Sequence, residues 1–166
     1  MSSQSEIIAR TLLGVSETDY GNCYREHLLT QYLKYLDMAD KISDRRSASN
    51  TFFLTVNTAL ISAIGIANLV SQMKSPFFFA IVGFAAILLC YSWYRLIRSY
   101  KDLNTAKFKV IHELEKHLPI RLFDAEWESV GRGKNKKLYL PFTHIEIYVP
   151  WIFILLYSSL ILYVVI

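Results

Sequence analysis

The chain has 166 residues, enough for one domain or for one membrane unit with a small soluble module. Hydrophobic residues make up 53% of it, and the 18 basic and 14 acidic residues leave a formal net charge of +4, too mild for a nucleic-acid footprint. Two cysteines, Cys23 and Cys90, fit neither a disulfide framework nor a metal cluster.

The N-terminal run MSSQSEIIARTLLGVSETDYG lacks a basic stretch followed by an apolar core, so no cleavable signal peptide is expected and the first span serves as the insertion signal. Residues 1–21 are weakly amphipathic through Ile7, Ile8, Leu12 and Leu13, and they end at the turn-like Asp19-Tyr20-Gly21. From about Cys23 to Asp44, Leu29, Tyr32, Leu33, Leu36 and Ala39 or Asp40 recur at steps of three and four, which predicts a helix. Residues 43–50, SDRRSASN, form a polar hinge or a continuation of that helix towards the membrane surface.

Residues 51–70 form a stretch of twenty without a charge, long enough to cross a bilayer core. A loop of five follows, and residues 76–94 give a second span, with Tyr91, Trp93 and Tyr94 as an interfacial aromatic belt at its end. Neither Gly nor Pro interrupts residues 84–118, so the same helix is expected to run on until Pro119, with Leu103, Val110, Leu114 and Leu118 as its apolar seam. Residues 119–140 read as irregular, with FDAEW and the basic turn GRGKNKK. Thr143 and Glu146 have capping-box spacing ahead of a third apolar run at residues 150–166.

The divisions expected are therefore 1–50, a cytoplasmic helical segment; 51–94, a transmembrane hairpin; 95–145, a cytoplasmic helix and basic loop; and 146–166, a C-terminal span. Seventeen of the eighteen basic residues lie before the first span or between the second and third, and only Lys74 lies in the short loop. Basic residues are retained in the cytoplasm, so the N-terminus is expected inside and the C-terminus outside. The fold class is all-α: three transmembrane helices with a cytoplasmic helical bundle, assembled as a ring-shaped homo-oligomer. Two long helices bury little by themselves, so a partner subunit is expected to cover their apolar faces.

The runs YLKYLDMADKISDRRSASNTFFLTVNTALI and WYRLIRSYKDLNTAKFKVIHELEKHLP, followed by FDAEW and IEIYVP, resemble the RipA family of small octameric membrane proteins of bacteria. The most specific parts are Ser43-Asp44-Arg45-Arg46 with Asn50, Asn57-Thr58, and Ser99-Tyr100 with Leu103-Asn104 and Lys107. The resemblance implies an eightfold assembly in the cytoplasmic membrane, a link to membrane stress and survival in host cells, and no catalytic residues.

Thr51, Thr55, Thr58, Ser62 and Gly65 step by four, three, four and three, one stripe of a helix, and Asn57 and Asn68 add amides at membrane depth. That stripe serves either close helix packing or the lining of a wet pore. Ala80, Gly83, Ala86 or Ile87, and Cys90 form a second, purely packing stripe. Asp44, Arg45 and Arg46, with Arg95 and Arg98, sit at the cytoplasmic mouth, as anchors for anionic lipid or as an ion-pair gate between subunits. Asn104 and Lys107 are expected to pair with Asp40 or Asp44.

An enzyme is not expected. His112 and His117 are five apart, about 140° around a helix, which does not suit a zinc site. No Arg stands five residues before a His, and GRGKNKK lacks the spacing of a phosphate loop. No cofactor, metal or nucleic acid is called for; the partners expected are further copies of the chain, membrane lipids and a cytoplasmic protein. The function expected is a gated pore or conduit. The alternatives are a non-conducting scaffold that docks a cytoplasmic partner and a membrane-disrupting defence effector.

Overall fold

The computed structural model describes residues 4–70, 76–134, 138–139 and 145–165. All regular structure among the described residues is helical. The elements are α1 (Gln4–Leu12), α2 (Glu17–Tyr20), α3 (Tyr24–Val70), α4 (Pro76–Glu115), α5 (Leu122–Ser129), a 3₁₀ turn (Gly131–Gly133) and α6 (Tyr148–Val165). The 71–75 loop, Thr143 and most of the lysine run after Lys134 lie outside the described residues, as does the side chain of Asn68.

Helix α3 is one helix of 47 residues, and residues 43–50 continue it without a hinge. That stretch is polar but holds neither Pro nor Gly, so nothing in it breaks the backbone ladder. Helix α4 opens on Pro76, whose missing N–H is harmless in the first turn. Within α3 and α4 lie stretches long and apolar enough to cross a membrane, while α6 is apolar but shorter.

The chain divides into two compact units, each described by itself. One consists of Met1–Asp44 and Asp102–Pro141, the other of Arg45–Lys101 and Phe142–Ile166.

In the first unit, Tyr32 and Ala39 of α3 pack on Ile111 and Leu114 of α4, with Leu12 and Phe123 at the edges. The leucine seam differs from the sequence expectation. Leu29, Leu33 and Leu103 stand about half exposed, while Tyr32, Ala39 and Leu114 of the expected faces are buried, joined by Ile111 from outside them. Counting leucines misses that a tyrosine, a lysine or a glutamate can fill a core when its polar end finds a partner.

Glu115 shows how. Its carboxylate is fully buried and accepts from the Tyr32 hydroxyl at 3.1 Å and from the backbone N–H groups of Phe123 and Asp124 at 2.9 and 3.0 Å. Those two N–H groups belong to the first turn of α5, where the residue preceding the helix, Arg121, supplies no side-chain cap. A carboxylate from the end of α4 thus caps α5 and sits against the positive end of its dipole. Burial, and then the neighbouring Glu115 charge, pushes the Tyr32 hydroxyl up to about 12, so it remains a proton donor.

The same contact corrects two boundaries. Residues 122–129 are helical rather than irregular, because their cap comes from seven residues upstream of the helix. Helix α4 stops at Glu115 rather than Leu118, and residues 116–118 tighten into i→i+3 bonds back to Glu113, Leu114 and Glu115. After α5, Gly131, Arg132 and Gly133 all take positive φ. Arg132, the one non-glycine among them, is held there by Glu128 and by Asp124 at 3.2 Å.

Replacing Glu115 by Ala leaves both α5 N–H groups without their acceptor and is expected to cost about 2–3 kcal/mol. Glu115→Gln keeps the shape but turns an N–H₂ group towards a donor, so it should be destabilising as well. Amide exchange at Phe123 and Asp124 is the readout; protection unchanged in both variants would show that α5 does not depend on this cap.

Candidate functional site

In the second unit, three helices converge on one polar node. Asn57 of α3, Cys90 of α4 and Tyr157 of α6 are each 0% exposed. The Cys90 thiol donates to Asn57 Oδ1 at 3.0 Å. The Tyr157 hydroxyl is shared between that same oxygen and the Asn57 main-chain carbonyl, both at 3.2 Å. The Asn57 amide donates in turn to the Phe53 carbonyl at 2.8 Å, one turn back along α3. Polar groups among apolar helices have no water to turn to, so one asparagine oxygen ties α3 to both neighbours.

Around this node the packing is close. A Cβ added at Gly83 of α4 would lie 2.7 Å from Ile161 Cγ1 of α6, so glycine permits that approach. Trp93 is buried rather than part of an outer aromatic belt; its indole N–H donates to Asn50 Oδ1 at 2.9 Å, and its ring stacks on Phe53 with centroids 5.7 Å apart. The reason is the indole N–H, which needs an acceptor and finds the asparagine of α3. Tyr94, half-buried, meets Trp151 edge to face at 5.5 Å.

Asn57 does not share a face with the stripe it was grouped with. Thr51, Thr55, Thr58, Ser62 and Gly65 are all exposed on the protomer while Asn57 turns inward. The Thr58 and Ser62 hydroxyls donate to the carbonyls of Leu54 and Thr58 at 2.8 and 2.9 Å, leaving their oxygens open as acceptors.

Of the residues expected at the cytoplasmic mouth, Asp44, Arg45, Arg95 and Arg98 are exposed. Arg46 is about one-fifth exposed, with Nε 3.7 Å from Glu146 Oε2, an ion pair too long for a hydrogen bond. Glu146 Oε2 is buried with no hydrogen-bond partner. Capping-box spacing alone carries no sign of the approach of Glu146 to Arg46.

Asn104 and Lys107 belong to the first unit and do not pair there with Asp40 or Asp44. Lys107 is 8% exposed, and its ammonium lies 4.3 Å from the centroid of the Tyr35 ring, a cation–π contact. Burial raises the Tyr35 hydroxyl above its ordinary range. Asn104 Oδ1 is buried without a hydrogen-bond partner. Asp40 and Asp44 are exposed on the same protomer, whereas Lys107 lies over the Tyr35 ring.

Cys90, Tyr157, Trp93 and Glu115 were not singled out as partners of anything. The signal for two of them was present: a buried asparagine in one apolar helix demands donors from the others. Among the described residues, no three His, Cys, Asp or Glu side chains gather into a metal-binding group.

Asn57 and Thr58 are adjacent in sequence and opposite in role, which their truncations should separate. Asn57→Ala strands the Cys90 and Tyr157 donors and is expected to lower stability in detergent by about 2–3 kcal/mol. Thr58→Ala should change it by less than about 0.5 kcal/mol. Equal losses in a thermal unfolding series would refute the division of labour.

The model of the octameric membrane protein family (8xMP) matches residues 29–166 of the chain. No curated protein and no solved structure matches it.

Proposed function

This chain belongs to the octameric membrane protein family, and on that premise we propose that it forms a gated, wettable conduit in the bacterial cytoplasmic membrane. The apolar segments of α3, α4 and α6 each cross the bilayer on this reading, with the N-terminus inside and the C-terminus outside. The observation that carries it is the exposure of Thr51, Thr55, Thr58, Ser62 and Gly65 on the protomer. The protomer packs through Asn57 instead, so this hydroxyl face is left to line the ring. The protein works without catalysis, and its part in membrane stress or survival in a host rests on the family resemblance.

Geometry gives the gate its reason. Eight helices in contact at about 8–10 Å put their axes roughly 10–13 Å from the centre, and a helix radius of about 5 Å leaves an opening of roughly 5–8 Å radius. An aqueous hole of that width would collapse the membrane potential if it stayed open. The exposed Asp44, Arg45, Arg95 and Arg98 supply the charges for a mouth that opens and closes.

A second reading has an observation of its own. The hydroxyls of Thr58 and Ser62 already donate within α3, so the face tolerates contact with lipid or with a neighbouring helix. A lipid-filled ring would then act as a scaffold docking a cytoplasmic protein, and a ring that opened without restraint would act as a defence effector.

Liposomes carrying the purified protein decide between these. Ion or dye flux above that of empty liposomes, abolished by Thr58→Trp, is expected of the conduit. Flux that never exceeds the empty control under any trigger, or that Thr58→Trp leaves unchanged, leaves the scaffold.

Topology has its own measurement. In a Cys23→Ser background, whose one native cysteine left is the buried Cys90, a cysteine introduced at Ser75 should react with an impermeant thiol reagent in intact cells, and one at Lys136 should not. The reverse pattern would invert the orientation.

A further inference from the structure

We infer that the octamer is held together outside its apolar spans by an intersubunit ion pair. A second copy of this chain seats the acidic, leucine-bearing face of its α3 on the α4 face of the first, beside Leu103 and the tip of the buried Lys107. The inference rests on the eightfold family and stands whether or not the ring conducts.

Lys107 is the starting point. Lys107 is nine-tenths buried as a residue, a costly place for a charge unless something compensates it, and in the protomer the compensation is a single aromatic ring. It makes no ion pair among the described residues. Its tip is nevertheless not sealed. The only buried side-chain polar atoms without a hydrogen-bond partner among the described residues are Asn104 Oδ1 and Glu146 Oε2. The Lys107 ammonium therefore still meets solvent, and an approaching carboxylate can reach it. Asn104, one turn earlier on α4, adds an acceptor without a donor, and Leu103 beside it is 47% exposed.

The complement lies on α3. Asp37, Asp40 and Asp44 are exposed and make no ion pair among the described residues. Leu29 and Leu33 are 47% and 53% exposed. At about 100° per residue these five positions fall within an arc of about 80°, a single face of the helix. One unit thus carries an unpaired cation beside an exposed leucine, and unpaired anions beside two more.

The two faces differ, and that is what a ring requires. A closed ring of identical subunits is built from heterologous contacts, in which one face meets a different face of the next copy. Eight copies fixed side by side in one membrane need no recruited protein to satisfy these groups. Asp40, in the middle of the acidic run, is the residue assigned to Lys107 of the next protomer.

Charge exchange tests the pairing. Lys107→Glu and Asp40→Lys should each reduce the particle from eightfold mass in detergent, measured by light scattering, and the two changes combined should restore it. Eightfold mass in both single variants would overturn the inference and leave these faces to a cytoplasmic protein. Reduced mass that the double variant fails to restore would overturn it too. Cross-linking reads the contact without disturbing a buried charge. With Cys23→Ser as background, Leu33→Cys and Leu103→Cys together should give a ladder of species up to eight chains on mild oxidation, and each alone should not. A monomer band only would overturn the proposed contact.

Discussion

A carboxamide at membrane depth is the constraint on which the apolar unit depends. Asn57 cannot be left facing hydrocarbon, because its oxygen and its N–H₂ group would both go unpaired at a cost of several kcal/mol. Its oxygen accepts from α4 and from α6, and its amide turns back on its own helix. Once that is settled, little else in the unit is free. The Cys90 side of α4 and the Tyr157 side of α6 must face α3, Gly83 must admit Ile161, and Trp93 must turn in to meet Asn50. Dispersion alone would let apolar helices rotate against one another at small expense; hydrogen bonds between named atoms do not.

The other unit applies the same logic with a charge. Glu115 is sealed from water, yet each of its oxygens accepts a backbone N–H of α5, and one also takes the Tyr32 proton. Burying a carboxylate is tolerable only when its hydrogen bonds are complete, and here they are supplied by a helix start and a phenol. The polar group is thereby an organising element. Without it α5 has no cap, and the buried Tyr32 hydroxyl has no acceptor.

Some of this was legible in the sequence. Apolar run length gave the long membrane-worthy stretches of α3 and α4, and the absence of Pro and Gly gave the extension of α4, while for α3 a hinge or a continuation at 43–50 stayed open. The motifs around Asp44–Arg46 and Asn104 gave the family. Which leucines were interior was not legible, since Leu29, Leu33 and Leu103 keep helical period yet face outward. Periodicity reports that a helix has a face, not whether its own chain or another copy covers it. Helix α5 was hidden for a different reason. Its cap is a tertiary contact from Glu115, and the local sequence at Arg121 carries no capping residue. Trp93 was misassigned because a tryptophan near a span end is usually interfacial, and the acceptor that drew it inward lies on another helix.

Asn57 and Thr58 bring the two levels together. Their side chains leave α3 about 100° apart, one into the protomer and one out of it. The inward amide fixes how the protomer folds, and by doing so it fixes which face remains. Every residue of that stripe from Thr51 to Gly65 is small or hydroxylated, and the exposed Phe52, Leu54 and Ile66 flank it. A helix that spends its amide on its own fold thus leaves its hydroxyls on the protomer surface. If that face lines the proposed conduit, it is repeated once per copy, and hydroxyl oxygens too weak to matter singly act eight at a time.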